Sequence, residues 1–313
     1  MNNPFEIKEP TVISFSGGRT SAFMLYKVLQ AHQMSLPPEA KVIFCNTGKE
    51  HESTLDFVRD VEKYWNVPIV WLEFTREQPK FKIVNHETAS RNGEPFAEII
   101  ESKQFLPNAV MRFCTTELKI HPITRYMASI GIDEFQTLAG IRADEPRRVV
   151  KLRETLHAPL AIAGITQIDV QAFWKNNNFD LGIEFRDKVT PLGNCDLCFM
   201  KGAHQLASII QREPQRAIWW AEQEKKIGGR FSKDRPTYAS MSQFGKDQLD
   251  LLKKAEEVTA ELNKLFHKKG RPIFSRYPVL FALLVILGAT LVSQGIKELI
   301  FEVAFFNGHP FVM

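Results

Sequence analysis

The first segment able to do chemistry is a short loop rich in glycine and hydroxyl residues. It reads Ser16-Gly17-Gly18-Arg19-Thr20-Ser21 and follows an apolar run over residues 11–15. Where a strand turns into a helix, the first backbone N–H groups lack partners and lie at the positive end of the helix dipole. Glycine lets an anion approach them closely, hydroxyls such as that of Ser14 add donors, and Arg19 adds a permanent charge. The pattern predicts a pyrophosphate-binding loop, with an ordinary glycine-containing turn as the alternative.

The second such feature is the set of cysteines, which are Cys45, Cys114, Cys195 and Cys198. The spacing of Cys195 and Cys198 suits iron or zinc better than a disulfide framework. Cys114 precedes a predicted helix that the fold should bring near the same edge, so these three are predicted to hold a metal centre. A three-cysteine 4Fe-4S cluster would leave one iron open to bind sulfur. Zinc with His121 or His204 as fourth ligand, or metal-free thiols, are the alternatives, and Cys45 is predicted to be a core residue.

The elements that must position these residues alternate between strand and helix. Strands are predicted at residues 11–15, 42–45, 69–72 and 135–141, and helices at 53–64, 116–128 and from Thr166 to 175. Such alternation favours parallel strands joined by right-handed crossovers. Residues 74–110 are polar and contain breakers, so they are predicted to form an irregular excursion from the sheet. The fold class is therefore an α/β, Rossmann-like open parallel sheet with helices on both faces and a C-terminal helical appendage.

Composition narrows the possible classes of protein. The chain has 313 residues and a formal net charge of +4, which by itself does not imply nucleic-acid binding and does not exclude it. The N-terminus lacks the basic and apolar regions of a signal peptide, and the cysteine layout suits a reducing compartment, so a cytoplasmic catalytic domain is expected.

Several motifs together resemble one family. Residues 14–22 resemble the PP-loop of the adenine nucleotide α-hydrolase superfamily, and Cys45-Asn46-Thr47-Gly48 resembles its PAPS-reductase-like branch. The segment from Arg112 to Lys119 resembles that branch's Cys-x-x-x-x-Lys motif, and residues 140–145, which include Arg142, resemble its Gly-x-Arg-x-x-Glu motif. The resemblance covers residues 10–240, whereas the paired cysteines of typical cluster-bearing reductases are replaced here by Phe113-Cys114.

The resemblance implies binding of ATP or a related adenine nucleotide, with Mg²⁺. The predicted nucleotide contacts are Ser14, Ser16, Gly17, Gly18, Arg19, Thr20, Ser21, Asn46 and Gly48. Arg19, Lys119 and Arg142 are predicted to stabilise charge during the reaction. The leading hypothesis is adenylation of an unknown acceptor, followed by sulfur delivery through the cysteines from a sulfur-donor protein. Sulfonucleotide (PAPS or APS) reduction is the alternative, although no cysteine follows Cys198, and a membrane-tethered nucleotide sensor without catalytic activity is a third hypothesis.

The C-terminal part differs in composition from the rest. The predicted nucleotide domain covers residues 1–245, and residues 246–276 form a charged, helix-favouring linker. Residues 277–296 contain no charged side chain and have about the length of a bilayer span. Basic residues precede this segment, so a span with a short tail at 297–313 would leave the catalytic domain in the cytoplasm. Packing of a buried helix is the alternative.

Overall fold

The computed structural model describes residues 3–152, 154–184 and 190–247. Six strands lie among the described residues: β1 (Thr11–Ser14), β2 (Ala40–Cys45), β3 (Ile69–Glu73), β4 (Lys82–Val84), β5 (Gln136–Ala139) and β6 (Leu156–His157). The larger helices are α1 (Arg19–Ala31), α2 (Glu52–Trp65), α3 (Glu94–Lys103), α5 (His121–Ser129), α8 (Gln167–Lys175), α9 (Ala203–Arg212) and α10 (Ala217–Ile227). Shorter helices are α4 (Phe113–Thr115), α6 (Pro146–Val149) and α7 (Pro159–Ile162). A π-helical turn (Thr116–Ile120) joins α4 to α5, and a 3-10 turn (Pro214–Arg216) precedes α10.

The strands form one sheet in the order β4-β3-β2-β1-β5-β6, parallel except for the β3–β4 pair. From β1 the chain builds outward through β2 and β3, and later returns to the other side of β1 to form β5. The strand order therefore reverses at β1. In open α/β sheets, ligands bind beyond the carboxyl ends of the strands at such a reversal, and the 16–21 loop lies there.

Alternation of side chains along the strands explains the layers. Ile13, Val42 and Phe44 face a core packed by α1, α2 and α8, whereas Val12 and Ile43 face the side covered by α5. Because a side chain on a strand points to the opposite face from its neighbours, buried residues on both faces give the continuous apolar runs seen in the sequence. The α/β, Rossmann-like fold is confirmed.

A second core lies apart from the sheet, around α3, α9 and α10. Its central residue, Trp220, is fully buried and contacts the rings of Phe96, Phe231 and Tyr238. Leu197, between the two cysteines of the Cys-x-x-Cys turn, is buried in this core. The second core therefore supports the thiols, while the sheet supports the phosphate loop.

The structure corrects the sequence prediction in two places. Residues 74–110 were predicted to be irregular, but they contain β4 and α3, and β4 pairs antiparallel with β3. The two-residue strand β6 was also missed. Both missed strands are too short for a period-2 pattern, whereas Gly93-Glu94-Pro95 is a helix-start signal that could have indicated α3, since proline is favoured in the first helical turn.

The C-terminal predictions fall largely outside the described residues. Residues 238–247 are helical. The rest of the predicted linker, the predicted span at 277–296 and the tail at 297–313 lie outside the described residues. Within the part that the structure describes, no helix combines the length and apolar character needed to cross a bilayer.

Candidate nucleotide and thiol site

The 16–21 loop connects β1 to α1, and hydrogen bonds among its own residues fix its shape. The Oγ of Ser21 accepts hydrogen bonds from the backbone N–H groups of Ser16 (3.2 Å) and Gly18 (3.4 Å) and donates to the Gly18 carbonyl (2.9 Å). Gly17 has φ +71°, and a Cβ there would lie 2.6 Å from the Cγ2 of Thr54. The loop therefore turns tightly beneath the first N–H groups of α1, which is the geometry of an anion cradle.

Part of the Arg19 guanidinium is paired with neighbouring protein groups rather than directed toward the phosphate site. Its Nε donates to Asp180 (2.6 Å), and its Nη2 bonds the same carboxylate and the Ile183 carbonyl. Its Nη1 is buried without a hydrogen-bond partner among the described residues. A phosphate contact would use Nη1 or would replace Asp180, so the predicted role of Arg19 stays a prediction.

Arg142 lies beside the loop, at the end of the neighbouring strand of the sheet. It follows β5, and its Nη1 donates to the Oγ1 of Thr20 (3.3 Å). The same guanidinium is ion-paired with Asp144 (2.9 Å) and Glu145 (3.5 Å). Although it is ion-paired, the Arg142 side chain therefore still reaches the loop.

One open cavity of about 1180 Å³ joins the predicted phosphate and sulfur chemistry. Its wall contains predicted site residues from the loop, from the strand ends and from both cysteine segments. These are Ser16, Gly18, Arg19, Thr20, Ser21, Cys114, Lys119, Arg142, Cys195 and Cys198. Its volume is above the usual range for a single small ligand, so a nucleotide leaves room for a second molecule.

Four predicted nucleotide contacts do not line this cavity. Ser14 is the last residue of β1, and Gly17, within the loop, packs against Thr54. Asn46 is fully buried, and its amide donates to Glu73 (2.6 Å) and to the Ser90 carbonyl (2.8 Å). Gly48 packs so closely on Gly93 that a Cβ would lie 2.9 Å from it. These residues shape the loops in the described structure rather than facing the cavity.

Two of the cavity cysteines, Cys195 and Cys114, lie in an environment that favours the neutral thiol. Burial, Glu50 and Cys198 raise the pKa of Cys195 well above its usual range. Burial and Cys198 also raise the pKa of Cys114, against the lowering effect of Lys119 and Arg112. Metal binding would therefore have to displace protons from these thiols, which makes it pH-dependent. Cys45 is buried in the core as predicted, and burial raises its pKa to about 12.

Lys119 lies on the π-helical turn between the thiols and the end of β2. Burial alone would lower its pKa, but electrostatic coupling to the ionisable groups around it, which are Cys195, Glu50, Cys45 and Cys198, outweighs burial, so the pKa of Lys119 is raised. The ammonium group therefore stays protonated and provides a fixed positive charge at the sulfur end of the cavity.

The three cysteine sulfurs of the cavity do not converge on one point in the described structure. Among the described residues, one set of three His, Cys, Asp or Glu ligand atoms lies within 4.8 Å of one another, and it consists of Glu52, Asp56 and His86. The three cysteine sulfurs are thus more widely spread than ligands of a single zinc ion. Ligands of a cluster bind separate irons and stand farther apart. His121 instead contacts Glu117 (3.1 Å), and neither it nor His204 lines the cavity in the described part of the chain.

The fold also brings to the site several residues for which the sequence predicted no role. Thr47, Arg112 and Lys201 line the cavity, and the Oγ1 of Thr47 lies 3.4 Å from the Cys195 sulfur. Thr47 and Arg112 stand within the motifs that carried the resemblance, so their neighbourhood was a usable signal. The buried Asp196 between the cysteines gave no local signal, because its partners are distant in sequence.

Comparison with known proteins agrees with this geometry. Residues 10–178 match the family model described as the phosphoadenosine phosphosulfate reductase domain. The chain is similar to an uncharacterized nin region protein of Escherichia phage lambda, with 32% identity over 219 residues, which is 64% of this chain and 70% of that protein. It is also similar to an uncharacterized protein of Methanocaldococcus jannaschii, with 29% identity over 146 residues, covering 46% of this chain and 25% of that protein.

The fold and the loop at its strand reversal define a PP-loop, Rossmann-like α/β protein. The matched residues span more than half of the chain, and it belongs to the phosphoadenosine phosphosulfate reductase domain family. This membership associates the chain with adenine nucleotides and with enzymes.

Proposed function

We propose that the chain is an ATP-dependent enzyme that adenylates an acceptor and then delivers sulfur to it through Cys114, Cys195 and Cys198. The observation that carries this proposal is the single cavity lined by both the 16–21 loop and the three cysteines. A nucleotide with its phosphates on the loop would place its α-phosphate between the loop and the thiols. Both half-reactions then share one cavity.

The chemistry balances without an external oxidant. An acceptor oxygen forms a bond to the α-phosphorus of ATP while the bond to the bridging oxygen breaks, and pyrophosphate leaves. Hydrosulfide, free or released by a sulfur-donor protein, then bonds to the activated carbon, and AMP leaves with the former acceptor oxygen. The loop N–H groups, Arg142 and Lys119 would stabilise the phosphate charge that develops in these steps.

Metals would assist at both ends of the cavity. Mg²⁺ would be held mainly by the nucleotide phosphates, as is usual for this ion. Cys114, Cys195 and Cys198 would hold a 4Fe-4S cluster whose fourth iron is open to bind sulfur, with zinc as the alternative. The chain's own contribution is a fixed positive charge, Lys119, beside these sulfurs.

The loop's role is tested by a glycine pair. Gly18 has open space around a built Cβ, with its nearest neighbour, the Ser16 Oγ, 3.8 Å away. Gly18→Ala should therefore fold but narrow the cradle, and we expect ATP affinity to fall by at least about tenfold. Gly202→Ala is the matched control, since Gly202 also caps a helix and a Cβ there meets nothing within 4 Å. Equal ATP affinity in both variants, measured by titration calorimetry, would refute the loop assignment.

Product analysis separates the reactions. Anaerobically purified protein, assayed for iron, sulfide and zinc, should release AMP and pyrophosphate from ATP when fractionated cell extract supplies an acceptor. The family match favours sulfonucleotide reduction as a second candidate. Release of sulfite from PAPS or APS with a thiol reductant, without ATP turnover, would establish that alternative and refute our proposal. Nucleotide binding without any turnover would favour a sensor.

A further inference from the structure

The turn carrying Cys195 and Cys198, here called the thiol turn (residues 195–198), is joined to the loop after β2 (residues 46–51). Cys195 forms an antiparallel bridge with Glu50, and the backbone N–H of Asp196 donates to the Lys49 carbonyl at 2.7 Å. The Thr47 hydroxyl also lies 3.4 Å from the Cys195 sulfur. Although about 150 residues separate the two segments in the chain, they are in direct backbone contact.

A buried charge pair lies at the centre of this junction. Asp196 is 3% exposed and Lys49 is 8% exposed, and the Oδ2 of Asp196 lies 3.4 Å from the Nζ of Lys49. Arg216 is a more distant second cation at 3.8 Å. The other oxygen, Oδ1, accepts hydrogen bonds from the Trp220 Nε1 (2.9 Å) and the Leu197 N–H (2.7 Å).

The carboxylate thus connects three parts of the molecule. Through Lys49 it reaches the end of β2, through Trp220 it reaches the second core, and through Leu197 it reaches the thiol turn itself. Since β2 pairs in parallel with β1, in the register Ile43 with Ser14, the loop after β2 begins next to the 16–21 loop. Because the thiol turn is attached to the loop after β2, its position relative to the phosphate loop is also set.

We propose that Asp196 is a positioning residue whose buried pair with Lys49 sets the place of Cys195 and Cys198 against the phosphate loop. Buried ion pairs often add little to stability compared with apolar packing of equal volume. Here the pair fixes the orientation of the thiol turn, because the two carboxylate oxygens of Asp196 contact donors on three separate elements. This inference rests on the proposed role of the two thiols in sulfur delivery.

The test compares alkylation rates at individual cysteines. In the Asp196→Asn protein, we expect iodoacetamide to modify Cys195 and Cys198 at least about tenfold faster than in wild type. A tenfold change corresponds to a decrease of ~1.4 kcal/mol in the free energy needed to expose the thiols. Cys114 is the internal reference, because α4 and the π-helical turn hold it rather than this pair. Rates at each site are measured by mass spectrometry in preparations of matched metal content.

Two further variants keep the test decisive. Lys49→Met with Asp196→Asn removes both charges, and if the pair acts as a unit, the double variant should change the rates by clearly less than the two single effects multiplied together. Glu101→Gln, which breaks the exposed Lys226–Glu101 pair, should leave all three rates unchanged. Equal acceleration at Cys114 would indicate general loosening and overturn the proposal, as would unchanged rates at Cys195 and Cys198.

The readout separates this inference from the proposed function. Alkylation needs neither ATP nor an acceptor, so a selective Asp196 effect in a protein without ATP turnover would keep the positioning role and reject the enzymatic one. Conversely, if the enzyme is active but the alkylation rates are the same in wild type and Asp196→Asn, the proposed function stands and the positioning role is rejected.

Discussion

The phosphate loop and the thiol turn face the same cavity but are built in different ways. The loop is shaped by short-range contacts, since Ser16, Gly18 and Ser21 bond to one another and Gly17 adopts a positive φ. The thiol turn is held by residues far away in sequence, through Lys49, Trp220 and the hydroxyl of Tyr238, which donates to the Leu197 carbonyl at 2.7 Å. Local chemistry therefore specifies one half of the site, and tertiary packing specifies the other.

This difference predicts where each half is vulnerable. Changes of backbone conformation should damage the loop, whereas changes in the second core should move the thiols without touching the loop. The predictions below test that division, beginning with the largest expected effect.

Gly17→Val should destabilise the fold most strongly. A β-branched residue is strained at φ +71°, and its Cβ would lie 2.6 Å from Thr54 and 3.2 Å from Phe44. We expect a loss of about 3 kcal/mol in the free energy of unfolding, combining backbone strain with overpacking. Urea denaturation measures this, with Gly18→Ala as the comparison that should stay near wild type. A stable Gly17→Val protein would show that the loop is not set by local backbone geometry.

Glu224→Gln should affect the second core in a pH-dependent way. The Glu224 carboxylate accepts from the Tyr238 N–H (2.8 Å) and the Phe231 N–H (3.2 Å), yet burial raises its pKa overall. A raised pKa in the folded state means that its stabilising contribution is present below the unfolded pKa and is lost as pH rises through the folded pKa. Wild type should therefore lose stability relative to the Gln variant as pH rises above the ordinary titration range of a glutamate carboxyl.

The measurement is the difference in unfolding free energy between the two proteins across and above that range. A difference that does not change with pH would contradict the assignment. A selective change in alkylation at Cys198 would link the second core to the thiol turn.

Asp180→Asn should have the smallest effect and should sharpen the account of Arg19. Asp180 competes with any phosphate for the Arg19 guanidinium; burial would raise its pKa, but the Arg19 contact lowers it overall. Its side chain is 38% exposed, so the pair contributes at most about 1 kcal/mol. We expect ATP to bind up to about fivefold more tightly in the variant. Weaker binding would mean instead that Asp180 holds Arg19 in the position that ATP needs.

The same division explains what the sequence could predict. β1, the loop and α1 follow from an apolar run, two glycines and helical spacing, all within about 20 residues. The helix predicted to begin at Thr166 is also present, and a capping box formed by Thr166 and Asp169, which is a local pattern, marks its start. Local patterns of this kind are the most predictable features of a fold.

The remainder depended on contacts that a sequence pattern does not contain. No sequence pattern indicates that Asp196 is buried, because its partners Lys49 and Trp220 are distant in the chain. Asn46 was predicted to face the nucleotide, but Glu73 and Ser90 turn its amide inward. Arg19 was assigned to phosphate without its partner Asp180 being foreseen. In each case the partner that decides the side chain's position is distant in sequence.

The central claim, that nucleotide and thiols occupy one cavity, is tested most directly by protection of the cysteines. Wild-type protein should show slower alkylation of Cys114 and Cys198 when saturated with ATP and Mg²⁺, because a nucleotide on the 16–21 loop fills the shared space. Gly18→Ala at the same ATP concentration should show little protection. If ATP binds wild type by calorimetry while the alkylation rates at Cys114, Cys195 and Cys198 stay unchanged, the shared-site account is contradicted.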